Sequence, residues 1–112
     1  MYEPSEVLVA ILRVVYPKNF GGDIIKIHKI FYGLRNKFPE IMDNFRFTKR
    51  INPFCVTLDG LIKNFQLTGI LQQSSPDRWS FKVNPKKLKE FPENNKLLDS
   101  FKDLKELREL CV

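Results

Sequence analysis

Residues 69–84 read GILQQSSPDRWSFKVN. Ile70-Leu71-Gln72-Gln73 is one strand-like run, and Arg78-Trp79-Ser80-Phe81-Lys82-Val83 is a second. In the second run Trp79, Phe81 and Val83 alternate with Arg78, Ser80 and Lys82, which is the period of a strand with one face buried and one in water. Ser74-Ser75-Pro76-Asp77 between the runs supplies turn chemistry. The stretch therefore predicts a β-hairpin, with Trp79 in the core. The rest of the chain reads mostly as helix, so this hairpin constrains the architecture more than any other segment.

Upstream, Thr68-Gly69 closes a helix that the spacing of Phe54, Leu58, Leu61, Ile62 and Phe65 predicts over Pro53–Leu67. Asn52 reads as its cap, with Pro53 in the first turn, where a missing N–H costs nothing. Phe45-Arg46-Phe47 alternates as a short strand or extended connector would. An earlier helix is expected from Ile24 to Phe38, capped by Asp23 and ended by Pro39, and EIMDNF after it reads as a short helical turn. The first helix is expected over Pro4–Tyr16, where Val7, Leu8, Ile11, Leu12 and Val15 share one face, and Pro17 stops it. PKNFGG reads as a loop. Downstream, Asn84-Pro85 starts a short basic helix, KKLKEF. The final segment, NNKLLDSFKDLKELRELC, reads as a helix whose stripe is Leu97, Leu98, Phe101, Leu104, Leu107 and Cys111.

The expected class is thus mainly α with a small β-hairpin, α+β. A core domain is expected over residues 1–84. A C-terminal helical extension, 85–112, packs on that domain or on a second subunit. Apolar residues make up 43% of the 112, enough for a core, and no run reaches the ~18 apolar residues of a membrane span. MYEPSEVLV lacks the basic start of a secretion signal, and two isolated cysteines form no disulfide framework, so a cytoplasmic, intracellular protein is expected. Cys55 lies in an apolar pattern and reads as a buried small residue.

Net charge is +6, unevenly spread. Residues 26–50 hold seven basic side chains against Glu40 and Asp43, whereas residues 85–112 hold seven basic against six acidic. A basic middle favours a polyanion, most often nucleic acid. Arg46, Lys49 and Arg50 before the third helix are the strongest phosphate candidates, and Arg78 and Lys82 of the hairpin add to them. On the outer side of the third helix, Lys63, Asn64 and Gln66 carry the donors and acceptors that can meet base edges. Asp59 on the same helix makes that side nearly neutral, as an ordinary solvated face would be.

Helix, helix, short strand, helix, hairpin, further helix resembles the winged-helix fold over about residues 5–84. The resemblance implies that the third helix enters a major groove and the hairpin lies over the adjacent backbone or minor groove, and it points to a small regulator of transcription binding double-stranded DNA. His28-Lys29-Ile30-Phe31-Tyr32, Asn52-Pro53-Phe54 and Gly69-Ile70-Leu71 also resemble the Panacea-type antitoxin domain, with Asn52 where that family has glycine. That second resemblance implies a protein partner on the same scaffold, such as a toxin or an assembly.

No enzyme is expected. His28 is the sole histidine and reads as a core or boundary residue beside Ile27. Gly21-Gly22 has no GK[ST] after it, no serine or cysteine sits in a nucleophile motif, and no cysteine–histidine spacing suits zinc, so neither cofactor nor metal is predicted. Asp99, Asp103, Glu106 and Glu109 read as surface salt-bridge decoration. The apolar stripe of residues 95–111 needs cover, either from its own chain or from a second copy in a homodimer.

Overall fold

A computed structural model describes residues 2–48, 51–74 and 80–112. Trp79, Arg78 and the turn residues 75–77 lie outside the described residues, as do Lys49 and Arg50. The described chain is α+β: six helices with a three-stranded antiparallel sheet. In chain order these are α1 (Pro4–Val15), β1 (Phe20–Gly21), α2 (Ile24–Lys37), α3 (Val56–Leu67), β2 (Leu71–Gln73), β3 (Ser80–Val83), α4 (Pro85–Leu88), α5 (Asn95–Phe101) and α6 (Lys105–Arg108).

α1 forms the centre. Its residues Val7 to Leu12 are all buried, because α3, α5 and α6 pack around it. Pro4 starts it, and Glu3 and Glu6 close its first turn as a capping box. α2 begins at Asp23, whose carboxylate accepts the Lys26 N–H at 2.8 Å, as its sequence predicts.

The strands on either side of the expected turn pair antiparallel. Leu71 pairs with Val83, Gln72 with Lys82 and Gln73 with Phe81. Leu71, Phe81 and Val83 are buried, while Gln72 and Lys82 face water. Gly69, with φ +81°, takes the left-handed turn that ends α3.

Four local expectations differ from the structure. Phe45–Phe47 is the connector rather than the strand of the two expected alternatives, and residues 39–44 form turns rather than helix; Phe45 and Met42 bury their side chains in the core. The third strand comes from within PKNFGG: Phe20 pairs with Phe81 and Gly21 with Ser80, which gives the sheet order β1-β3-β2. A glycine pair reads as a turn locally, but here β1 is held from both sides. The Gly21 N–H donates to the Leu110 carbonyl at 2.8 Å, and the Val112 N–H donates to the Asn19 carbonyl at 2.9 Å. At α3 the cap is Cys55, not Asn52: its Sγ accepts the Leu58 N–H at 3.4 Å. Thr48 and Phe54 pair as an isolated antiparallel bridge, which holds Phe54 outside the helix, and α3 starts at Val56.

The fourth difference lies at the C-terminus. The continuous helix is broken at Lys102–Leu104, where Asp103 has φ +62°. Aspartate tolerates this conformation better than most residues. The break turns α6 back so that Leu97, Phe101, Leu107 and Leu110 are all buried in their own chain. Glu106 of α6 reaches Lys37 of α2 at 3.8 Å rather than a lysine on its own helix. Of the predicted stripe, Leu97, Phe101 and Leu107 are buried in the chain, and Leu98, Leu104 and Cys111 are half-buried against it.

Candidate nucleic-acid interface

The sequence places its base-reading candidates on α3. Leu58, Ile62 and Phe65 fix the inward side. At 3.6 residues per turn the opposite side runs through Val56, Gly60, Lys63 and Leu67, with Asn64 beside it. Val56 is 71% exposed and Leu67 87%. The outward face thus sets apolar Val56 and Leu67 and small Gly60 beside the charged Lys63.

The three candidates on α3 do not converge. Lys63 is exposed, and its ammonium is paired with the Asp59 carboxylate at 2.9 Å one turn earlier. Asn64 lines a cleft of about 340 Å³ with Thr68, Lys87, Glu90 and Phe91, so it borders α4. Gln66 is only half exposed. Asn64 and Gln66 lie about 200° apart around the axis, so one groove cannot meet both.

Of the phosphate candidates, Arg46 is exposed on the connector before α3, and Lys82 is exposed on β3. Lys49, Arg50 and Arg78 lie outside the described residues. Ser74 is exposed, but its hydroxyl donates to the Ser80 carbonyl at 2.9 Å. β2 packs against α3.

His28 holds the connector to α2. Its Nδ1 accepts the Cys55 N–H at 3.0 Å, and its ring stacks on Phe54 with centroids 4.6 Å apart. In the neutral ring the proton is then on Nε2, which is buried with no hydrogen-bond partner. Burial pushes the imidazole below its ordinary value of 6.5, against a smaller upward pull from the Asp59 carboxylate. The unfolded chain consequently takes up a proton at higher pH than the folded one, so stability rises with pH across this window. Urea midpoints of the native chain should fall as pH drops from about 7 to 5. A His28→Phe variant should show a clearly shallower slope; equal slopes would rule the histidine out as the cause. Burial also pushes the Cys55 thiol up, against smaller downward pulls from backbone hydrogen bonds and from Arg35. This thiol caps α3 through the Leu58 N–H.

Among the described residues no group of His, Cys, Asp and Glu is arranged to hold a metal ion, and no helix is long and apolar enough to cross a membrane. Fold and surface together define a small basic α+β protein with a hairpin set against its third helix. Compared with known proteins, the chain matches no family model, no curated protein and no solved structure.

Sequence reasoning overlooked the apolar exterior of α3. Its signal was available in the spacing of Val56, Gly60, Lys63 and Leu67, steps of four, three and four residues, which mark a single helical stripe. It also overlooked the hydrogen bond from Cys55 to His28, for which the sequence carries no signal.

Proposed function

We propose that this chain is a winged-helix-type protein that binds double-stranded DNA mainly through its phosphates. The observation that carries the reading is the hairpin directly following and packed beside α3, with Arg46, Lys49 and Arg50 leading into that helix. Arg46 and Lys82 are both exposed. Phosphate binding asks for charge within reach and little else. Base reading from α3 has weaker support, since Lys63 is paired and Asn64 and Gln66 diverge. Lys49, Arg50 and Arg78 enter on sequence grounds alone.

The test is a polarisation titration of a labelled duplex against the protein at low and at moderate salt. Binding should weaken steeply with salt. The Arg46→Ala/Lys49→Ala/Arg50→Ala triple variant should lose about 2 to 3 units of the log K against log salt slope, roughly one per phosphate contact removed. Absence of duplex binding even at low salt would sink the reading.

A second reading has its own support. The exposed apolar positions Val56 and Leu67 on α3 fit a protein-interaction module on the same scaffold, antitoxin-like or an assembly subunit, better than they fit a groove of DNA. A homodimer through residues 95–111 keeps less support, because those apolar side chains already pack inside the chain.

A further inference from the structure

Two exposed large apolar side chains meet at one site. Ile25 and Phe54, with Ile24, Pro53, Asn52 and His28, line a cavity of about 140 Å³ between the start of α2 and the segment entering α3. Ile25 is 48% exposed and Phe54 37%. Ile51, fully exposed, stands two residues before Pro53, and Val56 stands two residues after Phe54. Among the described residues, two of the seven exposed large apolar side chains line this cavity, and Ile51 and Val56 lie within three residues of Phe54 in the sequence. Solvated loops do not gather such side chains without a use for them.

The surroundings are basic. Lys29 lies one turn beyond Ile25 on α2, Lys26 lies beside it, and both are exposed, as is Arg46 across the connector. Between Asp43 and Asp59 the sequence has three basic residues and no acid. α2 itself carries no carboxylate: Asp23 is engaged in capping it, and Asp59, close enough to act on His28, is paired with Lys63. His28 lines the cavity, and its Nε2 has no partner.

We propose that this face docks an acidic segment of a partner protein that carries an apolar anchor. The cavity between Ile25, Pro53 and Phe54 takes the anchor, and Lys26, Lys29 and Arg46 face its carboxylates. Charge decides against a second copy of this chain, since a symmetric contact would set these cations against themselves. Charge alone would also suit a nucleic acid, but phosphates gain nothing from Ile25, Ile51 and Phe54. An acidic amphipathic peptide uses both features, its apolar side chains in the cleft and its carboxylates on the rim. This inference does not depend on the DNA-binding reading.

The probe is a labelled synthetic peptide of about 18 residues rich in Asp and Glu, with Phe and Leu at positions i, i+3, i+4 and i+7. It is titrated by polarisation at near-physiological salt, beside a copy with those apolar residues replaced by Ser and beside a DNA duplex. The acidic apolar peptide should bind. Ile25→Ser and Ile51→Ser should each weaken it about tenfold, the scale of losing an anchor contact. Lys29→Glu should weaken it as well. Leu67→Ser, at the far end of α3, should leave it unchanged. Both isoleucines are exposed enough for their serine variants to fold, which a thermal melt verifies. The proposal is overturned by absence of binding, by equal binding of the serine-substituted peptide, or by isoleucine variants that alter duplex binding but not peptide binding. Self-association that Ile51→Ser abolishes would overturn it in favour of a second copy. If duplex binding fails while the peptide binds, the DNA reading falls and this one stands.

Discussion

Deleting residues 95–112 is expected to leave the remaining chain without a cooperative fold. Leu97, Phe101, Leu107 and Leu110 are buried against the core that α1 centres, and α1 is itself buried along its length. Each such side chain contributes about 1.5–3 kcal/mol when removed from water, so the four together contribute about 6–12 kcal/mol. A domain of this size is stable by only about 5–15 kcal/mol in total. The deletion also removes the carbonyl of Leu110 that accepts from Gly21, and with it one edge of β1. Circular dichroism and a thermal melt of residues 1–94 check this. A sharp two-state melt of the truncated chain would show that the C-terminal helices are an accessory rather than part of the core.

The second large effect belongs to Arg13. Its guanidinium donates to the carbonyls of Leu88 and Phe91 at 2.8 Å and to that of Pro92 at 3.2 Å. These carbonyls end α4 and the turn after it, so a side chain of α1 closes a helix some 75 residues later in the chain. Bonds from a charged donor contribute about 1.5–3 kcal/mol each but do not add fully when one group makes all three. Arg13→Met keeps the aliphatic contact and should lower stability by about 2–4 kcal/mol. Arg13→Lys keeps the charge but not the planar fork that reaches several acceptors at once, and it should recover less than half of the loss. Urea unfolding of the three proteins measures this. A lysine variant as stable as the native chain would mean that charge alone matters here.

These two effects mark where sequence reading stops. Helix faces were legible because they rest on neighbours three and four residues apart: Asp23 caps α2 and Leu58, Ile62 and Phe65 face inward, as the spacing requires. The strands of the hairpin were legible for a similar reason, since alternation fixes which residues are buried. β1 was not. A two-residue strand has no period of its own, and Phe20-Gly21 becomes a strand only because β3 and the C-terminal tail offer partners. The helix break at Asp103 was hidden because the apolar stripe continues across it, and the turn is set by how α6 must reach back to α1 and α2.

For the candidate surface the division is similar. Charge is a property of composition, so the basic stretch Arg46–Arg50 and the near-neutral α3 are plain in the sequence. Which side of α3 meets water is not. That depends on which residues α1 and β2 cover, and it leaves Val56, Gly60 and Leu67 outward, with Lys63 tied to Asp59. The cavity at Ile25, Pro53 and Phe54 needs two segments to meet, through a hydrogen bond from Cys55 to His28.

By itself, then, the sequence determined the three principal helices, the hairpin after the third and the location of the positive charge, because each is written in local spacing, caps, turn residues and composition. Only the tertiary structure decided the third strand, the folding-back of the C-terminal helices, the reach of Arg13 and the apolar face at the entry to α3. Each of these depends on groups far apart in the chain, and no local pattern records which distant partner a buried or hydrogen-bonding group will find.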